Sequence, residues 1–204
     1  MTDTAPAAAS TPAATQPPTS GSLVGLKVLE LGQLIAGPFA GKTLADFGAD
    51  VIKVEPPATD ASDGGDPLRK WRLLHHDTSV WWQVQNRNKR SVVLDLRTAV
   101  GRADARRLAA EADVLIENFK PGTPEKWGLG YDALAADNPG LIMLRISGYG
   151  QTGLYRDLPG FAVVAGAMGG LRHVMGEPGR VPVRVGASLG DTLAGLHGVW
   201  GPAA

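Results

Sequence analysis

The stretch that decides the fold is "LKVLELGQLIAGPFAGKTLADFGADVIKVE", residues 26–55. Two apolar runs of strand length, "LKVLEL" (26–31) and "DVIKVE" (50–55), flank the helix-like segment "FAGKTLADFGA" (39–49). A strand, a crossover helix and a second strand form a βαβ unit, which places two parallel strands in one sheet. This unit therefore predicts an α/β fold.

The same alternation continues along the chain. Further strands are predicted at "SVVLDL" (91–96), "DVLIENF" (113–119) and "LIMLRIS" (141–147), and helices at 98–112, from Thr123 and at "YDALAAD" (131–137). Strands that alternate with helices indicate a doubly wound, mostly parallel sheet. The irregular stretches 56–79 and 148–160 are long for a compact domain, so we expect them to be functional or mobile.

The composition bounds the class of protein and its ligands. Of 204 residues, 44% are apolar and 20% are charged, which is ordinary for a soluble globular protein. Basic and acidic residues balance, so no overall field attracts nucleic acid and we expect no nucleic-acid partner. The absence of cysteine excludes disulfides, thiolate metal ligands and a cysteine nucleophile.

The first segment of the chain differs in composition from the rest. Residues 1–21 are mostly Ala, Pro and Thr, and they offer too little apolar surface to offset the entropy of ordering. They predict a disordered tail before one domain at 22–204. The tail lacks the features of a secretory or mitochondrial leader, and no stretch approaches the roughly 18 apolar residues of a membrane span. We therefore expect a cytoplasmic protein without membrane contact.

One carboxylate near the end of the sequence admits two interpretations. In "GASLGDTLAG" (186–195), Ser188 and Asp191 have the S-x-x-D spacing of a helix start. Asp191 can therefore cap a helix, or it can be a catalytic carboxylate. The local pattern alone favours capping, because caps are commoner than catalytic groups.

Two basic positions can bind an anion or can simply be solvated. "NRNKRS" (86–91) places Arg87, Lys89 and Arg90 in one turn before a strand, as a compact set of phosphate donors. Lys126 follows a predicted helix start and has the same ambiguity. Exposure to solvent is the commoner state of such side chains.

Most motifs that identify a cofactor or catalytic site are missing. The turn "ELGQLIAGPFAG" (30–41) can bring backbone N–H groups to a ligand, but its glycines lack the G-x-G-x-x-G spacing of a dinucleotide site. The four histidines form no metal pattern, and no nucleophile elbow or Walker loop occurs. We predict no metal site.

Three regions of the sequence together resemble one family. The first is "VLELGQLIAGPFAGKTLADFGADVIKVEPP" (28–57), the second joins "NRNKRSVVLDL" (86–96) to 112–153, and the third is "PVRVGASLGDTLAG" (182–195). From about residue 22 to 200 the chain is similar to the N-terminal half of class III coenzyme A transferases, such as formyl-CoA:oxalate and carnitine CoA transferases. The resemblance implies the Rossmann-like large domain of that family.

The resemblance gives Asp191 a chemical role. In the family the aspartate of the G-D-[ST] stretch is the nucleophile, which implies that Asp191 attacks an acyl-CoA thioester and then carries CoA itself. We expect backbone donors and the helix dipole to keep this carboxylate ionised.

Further residues match positions at which the family contacts CoA. The turn of Leu34, Ile35 and Ala36 corresponds to the contact with the nucleotide and pantetheine, and the positions that grip adenine and phosphates correspond to Asn88, Lys89 and Arg90, with Lys126 as a further basic contact. Family members often have glutamine where Ile35 stands and arginine where Pro56 stands. Related racemases on this fold use a histidine that is matched here by Phe161, so racemisation is disfavoured.

Family members are about twice as long as this chain. They add a small domain, a returning C-terminal segment with a glycine-rich loop, and an interlocked homodimer. The resemblance therefore implies a C-terminally truncated large domain that uses acyl-CoA and a small carboxylic acid, without a tightly bound cofactor, as a homodimer or with a complementary C-terminal chain. The rival interpretations are a CoA-ester racemase or epimerase, and a non-catalytic fragment that binds CoA or a partner.

Overall fold

The computed structural model describes residues 20–203, so all but the last two residues of the predicted tail lie outside the described part of the chain. The strands are β1 (Lys27–Glu30), β2 (Asp50–Glu55), β3 (Leu74–His75), β4 (Thr78–Ser79), β5 (Lys89–Val93), β6 (Val114–Glu117) and β7 (Ile142–Arg145). The helices are α1 (Ala36–Asp46), α2 (Val80–Gln85), α3 (Ala99–Ala110), α4 (Thr123–Lys126), α5 (Tyr131–Ala135), α6 (Ala162–Met168), α7 (Leu171–Val174) and α8 (Leu189–Ala203), with a 3-10 helix at Pro67–Lys70.

The central element is a parallel sheet of five strands in the order β5-β2-β1-β6-β7, which confirms the predicted fold class. The strands β3 and β4 form a separate antiparallel hairpin. Strand order reverses at β1. The strands β2 and β5 are added on one side of β1, and the chain then crosses to the other side of β1, where it adds β6 and β7. In open α/β sheets, ligands bind at the carboxyl ends of the strands beside such a switch point.

Alternate residues of each strand supply two apolar layers, one on each face of the sheet. Leu29 and Leu115 face one layer, which includes Ala105 of α3 and Leu134 of α5. The opposite layer contains the strand residues Val28 and Val114, with Leu44 of α1 and Val199 of α8. Burial of each leucine or valine side chain contributes about 1.5–3 kcal/mol, so both faces of the sheet stabilise the fold.

Helix α8 lies close against α1 because it presents glycines there. A Cβ at Gly195 would lie 2.8 Å from the carbonyl oxygen of Ala36 and 3.0 Å from Cδ1 of Phe39. At Gly198 a Cβ would lie 2.7 Å from Cδ1 of Leu144 in β7. This close approach fixes the start of α8 beside the carboxyl end of the sheet.

The predicted boundaries of β5 were wrong. We expected a strand at 91–96, but β5 begins at Lys89, which pairs with Val51 of β2. It ends sooner because the chain turns into α3, where the hydroxyl of Thr98 accepts the N–H of Gly101. Lys89 and Arg90 therefore lie within the strand and not in a turn before it.

The other predicted elements are present with shifted ends. Helix α1 begins at Ala36, three residues before the expected position, with Pro38 in its first turn, where a missing N–H costs nothing. The stretch 148–160 has no helix or strand. The stretch 56–79 contains the 3-10 helix and the β3-β4 hairpin.

Candidate active site

Two loops meet beside the switch point of the sheet. The backbone N–H of Gln33, after β1, donates to Oδ1 of Asn118 at 2.7 Å, and Nδ2 of Asn118, after β6, donates to the carbonyl oxygen of Gln33 at 2.8 Å. This pair of hydrogen bonds holds the turn between β1 and α1 against the neighbouring strand end.

The next residues of that turn are held from the other side. Leu34 has φ of 62°, a left-handed conformation that is uncommon outside glycine, and its N–H donates to both carboxylate oxygens of Asp66 at 3.1 Å. Asp66 also accepts the N–H of Leu68 and so begins the 3-10 helix. The turn thus gives Ile35, the buried residue before α1, a fixed position.

Asp66 belongs to a buried charge cluster, which we define as Glu30, Lys53, Asp66 and Lys89. Nζ of Lys53 lies 2.9 Å from Oε1 of Glu30 and 3.0 Å from Oδ2 of Asp66. Nζ of Lys89 lies 2.7 Å from Oε2 of Glu30. All four side chains are nearly inaccessible to solvent. The charges are paired, as buried ions must be.

Burial and ion pairing act in opposite directions within the buried charge cluster. Burial favours neutral Glu30, but the two ammonium groups outweigh it and hold the pKa of Glu30 below its usual range. Burial likewise opposes the charge of Lys53, yet Glu30 and Asp66 raise its pKa. For Lys89 burial prevails and lowers the pKa to about 8.

A second ion pair ties the loop 56–79 to β2. Arg69 donates from Nε and Nη2 to the two carboxylate oxygens of Glu55, each at 2.7 Å, while its guanidinium carbon lies 3.9 Å from the ring centre of Trp82. Burial alone would raise the pKa of Glu55, but hydrogen bonds from Arg69, Ser91 and the backbone of Asp66 lower it to about 2. A buried carboxylate of β2 therefore anchors the 3-10 helix in the middle of this loop.

The basic segment at 87–90 is paired within the chain. Arg87 and Asn88 both donate to Asp46, and Arg90 donates through two nitrogens to Asp50. Lys89 belongs to the buried charge cluster. Sequence reasoning missed these acidic partners, because Asp46 and Asp50 lie about forty positions away. The contacts of Asn88, Lys89 and Arg90 with CoA stay a prediction.

The carboxylate of Asp191 lies in the first turn of α8, half-buried. Burial raises its pKa, and a hydrogen bond from its own backbone N–H opposes this only in part. We had expected the helix start to favour the ionised form. The backbone contribution is present, but desolvation outweighs it because no cation neutralises the carboxylate within residues 20–203.

Asp191 lines a cavity of about 500 Å³, which we call the Asp191 cavity. The 56–79 loop and α2 contribute Trp71, Arg72 and Trp81, and the segment 161–193 contributes most of the rest of the wall. Of the predicted site residues, the structure brings Ile35 and Asp191 together here. Leu34 and Ala36 flank Ile35 without lining the cavity.

Four predicted residues lie elsewhere, since Asn88, Lys89, Arg90 and the exposed Lys126 do not line the Asp191 cavity. The sequence reasoning missed the wall residues Trp71, Arg72, Trp81, Arg172 and Arg184. The unusual length of the 56–79 loop was the one signal that pointed to Trp71 and Arg72.

The groups available for proton transfer and metal binding around Asp191 are few. Phe161 is in the cavity wall, and none of the four histidines lines it. No cluster of three or more metal-ligating side chains is found among residues 20–203. Within the same residues, no helix combines the length and apolarity needed to cross a membrane.

Comparisons with known proteins agree on one family. A family model described as CoA-transferase family III matches residues 23–204. Over 177 residues the chain is 52% identical to succinyl-CoA–D-citramalate CoA-transferase of Chloroflexus aurantiacus. The aligned region covers 86% of this chain and 43% of that protein. The chain is 48% identical over 182 residues to a succinyl-CoA–L-malate CoA-transferase alpha subunit from the same organism, covering 88% and 41%.

A solved structure shows the same likeness in three dimensions. A CAIB/BAIF family protein from Brucella suis superimposes with a TM-score of 0.83 and 43% identity, over 90% of this chain and 48% of that one. The chain thus spans less than half the length of the relatives it matches. Over nearly all of its described length, the chain belongs to CoA-transferase family III.

Proposed function

We propose that this chain provides the nucleophile of a CoA transferase, with Asp191 as the residue that carries the acyl group and then CoA. One observation carries the proposal: Asp191 is an unpaired, half-buried carboxylate within residues 20–203, in the wall of a cavity that also contains Ile35 of the turn after β1. Family membership supports the same reaction class.

The reaction proceeds through two anhydrides and one thioester. An oxygen of Asp191 attacks the thioester carbonyl of the donor, the C–S bond breaks, and CoA leaves as a thiolate. The thiolate attacks the aspartyl carbonyl of the mixed anhydride, which releases the donor acid and leaves an aspartyl-CoA thioester. The acceptor carboxylate then attacks this thioester, and the released thiolate attacks the acceptor carbonyl. New acyl-CoA leaves and the Asp191 carboxylate is regenerated.

The surroundings of Asp191 suit this chemistry. A carboxylate whose pKa is raised by desolvation is more basic, and hence a more reactive nucleophile once ionised, than one that is held by a cation. The thioester exchange needs no general acid because thiolates and carboxylates are the leaving groups. The absence of histidine from the wall of the Asp191 cavity is therefore compatible with transfer, whereas racemisation needs a second acid or base.

The relatives indicate a substrate class and an assembly. Both enzymes named above exchange CoA between succinyl-CoA and a hydroxylated dicarboxylic acid, so we propose a dicarboxylyl-CoA donor and a dicarboxylic acceptor for this chain. One of them is named as an alpha subunit, which supports an active form with more than one chain. Exposed apolar residues of α8, including Trp200 at 61% exposure, are compatible with such a partner.

The test is to trap the acyl group on the protein. The purified chain is incubated with succinyl-CoA and hydroxylamine, which converts an aspartyl anhydride or thioester to a hydroxamate, and the peptides are analysed by mass spectrometry. We expect hydroxamate on the Asp191 peptide and none from Asp191→Asn. Hydroxamate on another carboxylate, with Asp191 unmodified, would contradict the assignment of the nucleophile.

A further inference from the structure

The arginines of this chain fall into two groups. Ten of the thirteen form an ion pair with a carboxylate or donate a hydrogen bond to a backbone carbonyl, as Arg69, Arg87 and Arg145 do. The remaining three, Arg72, Arg172 and Arg184, make no ion pair or hydrogen bond within the described residues. All three line the Asp191 cavity.

Different parts of the chain supply these three arginines to the cavity wall. Arg72 follows the 3-10 helix and lies with its guanidinium carbon 4.7 Å from the ring centre of Trp81, which holds it without neutralising it. Arg172 belongs to α7, and Arg184 precedes α8. Their convergence is a property of the fold and not of one basic segment of sequence.

The positive charge is not directed at Asp191. Asp191 is the one acidic residue in the cavity wall, and its pKa is raised by burial, with no guanidinium acting on it. The arginines therefore lie far enough from this carboxylate to leave it unpaired. They are free to hold an anionic group of a bound molecule whose other end reaches Asp191.

Most of the cavity wall is apolar. Trp71, Phe161, Val163, Leu171 and Met175 line it, so the cavity offers a nonpolar surface for a short carbon chain. A planar guanidinium binds a carboxylate through two parallel hydrogen bonds, which fixes orientation as well as charge. A molecule with carboxyl groups at both ends of a short chain matches this arrangement.

We propose that Arg72, Arg172 and Arg184 are specificity residues, which bind the carboxylate of a dicarboxylic substrate that does not exchange CoA and so place its other carboxyl group at Asp191. This assignment rests on the proposed function for the identity of the reacting end. The same guanidinium chemistry also fits a phosphate of CoA, so the experiment must separate these two anions.

The experiment measures binding, without turnover, in an Asp191→Asn background. Dissociation constants are determined by calorimetry for succinate, its monoamide succinamate, and CoA. The variants Arg72→Gln, Arg172→Gln and Arg184→Gln are compared with Arg156→Gln, a matched control that removes an exposed arginine paired with Asp157 outside the cavity. Circular dichroism and thermal unfolding show that each variant remains folded.

We expect each cavity variant to weaken succinate binding by about 10-fold or more, because a charge-assisted hydrogen bond is lost. Binding of CoA should stay within about twofold, and Arg156→Gln should change neither. Succinamate keeps the one carboxylate that the arginines bind, so it should bind to the parent protein and lose affinity in the same three variants. Weaker CoA binding with unchanged succinate binding would assign the arginines to phosphate and overturn the proposal, as would unchanged binding of all ligands.

These outcomes remain distinct from the fate of the nucleophile. If hydroxamate trapping fails at Asp191 while the arginine variants lose succinate, the proposed function fails and the anion site stands. If trapping succeeds and the arginine variants bind succinate normally, the transfer reaction stands and the specificity assignment fails.

Discussion

The carboxylate of Asp66 accepts the backbone N–H of Leu34 with both oxygens at 3.1 Å, although the two residues are 32 positions apart in the sequence. The same carboxylate lies 3.0 Å from Nζ of Lys53. Asp66 therefore connects the turn before α1, which carries Ile35 into the Asp191 cavity, to the buried charge cluster. The shape of the site depends on an ion pair that touches no part of the cavity.

Replacing Asp66 should reduce both stability and substrate binding. Asp66→Ala leaves the N–H of Leu34 without its acceptor and Lys53 with one carboxylate in place of two. Breaking a buried pair of this kind costs about 3 kcal/mol, which denaturant unfolding would detect. The control is Asp63→Ala, whose side chain is 86% exposed and lies 3.9 Å from Lys70. Equal unfolding free energies for the two variants would contradict the structural role of Asp66.

The approach of α8 to α1 predicts that alanine has opposite effects at a glycine of this contact and at a helical glycine with free space around it. At Gly195 a Cβ would press on the backbone of Ala36, so Gly195→Ala should destabilise by about 1–3 kcal/mol through overpacking. At Gly166 in α6 a Cβ would lie 3.8 Å from Cδ2 of Leu171, which is an ordinary contact, so Gly166→Ala should gain up to about 1 kcal/mol of helix propensity. The two changes in thermal midpoint should therefore differ in sign. A stabilising Gly195→Ala would show that the two helices are not in close contact.

The ion pair of Glu55 with Arg69 predicts a pH-dependent stability. The pKa of Glu55 is about 2 in the folded chain against an ordinary 4.5, so the folded state binds its proton less tightly than the unfolded state. The stability from this carboxylate is fully present above pH 4.5 and is lost as the pH falls toward 2. It amounts to about 3 kcal/mol at most.

Comparison with Glu55→Gln measures this contribution. The variant should unfold at lower denaturant concentration than the parent at neutral pH, and the difference should shrink as the pH falls through the stated window. Glu111→Gln, at an exposed position after α3, should show no such convergence. A difference that is constant with pH would mean that the carboxylate charge of Glu55 does not stabilise the fold.

Asp191 predicts the opposite dependence. Because burial raises its pKa in the folded chain, the folded state binds the Asp191 proton more tightly than the unfolded state. The ionised carboxylate therefore costs stability as the pH rises above 3.8 toward the raised value. Asp191→Asn should abolish hydroxamate formation and unfold at a higher temperature than the parent at neutral pH. Well below pH 3.8 the two midpoints should converge. A lower midpoint for the variant at neutral pH would show that the ionised carboxylate stabilises the fold.

The parts of the fold that follow from local pattern were predictable, and those set by distant pairing were not. The spacing of the apolar residues at 26–55 predicts the βαβ unit. The start of β5 is set by its register with β2, where Lys89 is opposite Val51. A prediction that places strands at runs of apolar residues leaves this lysine out of the strand. Glu30, Lys53 and Asp66 each look like surface residues in sequence, and only the fold brings their charges together.

The same division applies to the site. Asp191 was singled out by a short stretch, whose local pattern alone favours a helix cap, and its proposed role as nucleophile comes from the resemblance. Arg72, Arg172 and Arg184 lie in three separate segments, and nothing in their sequence neighbours separates them from the ten paired arginines. The arginines without a partner can be identified only when the positions of the carboxylates in the folded chain are known.

The measurement that tests the central claim most directly follows an oxygen atom. The acceptor acid is labelled with a heavy oxygen isotope in its carboxylate and incubated with the protein and succinyl-CoA. The mass of the Asp191 peptide is then measured by mass spectrometry. If Asp191 forms the anhydride, the bridging oxygen stays with the aspartate when thiolate attacks the acceptor carbonyl, so the Asp191 peptide gains label with turnover. Turnover that leaves the Asp191 peptide at its natural mass would show that CoA moves without this carboxylate, and would contradict the account.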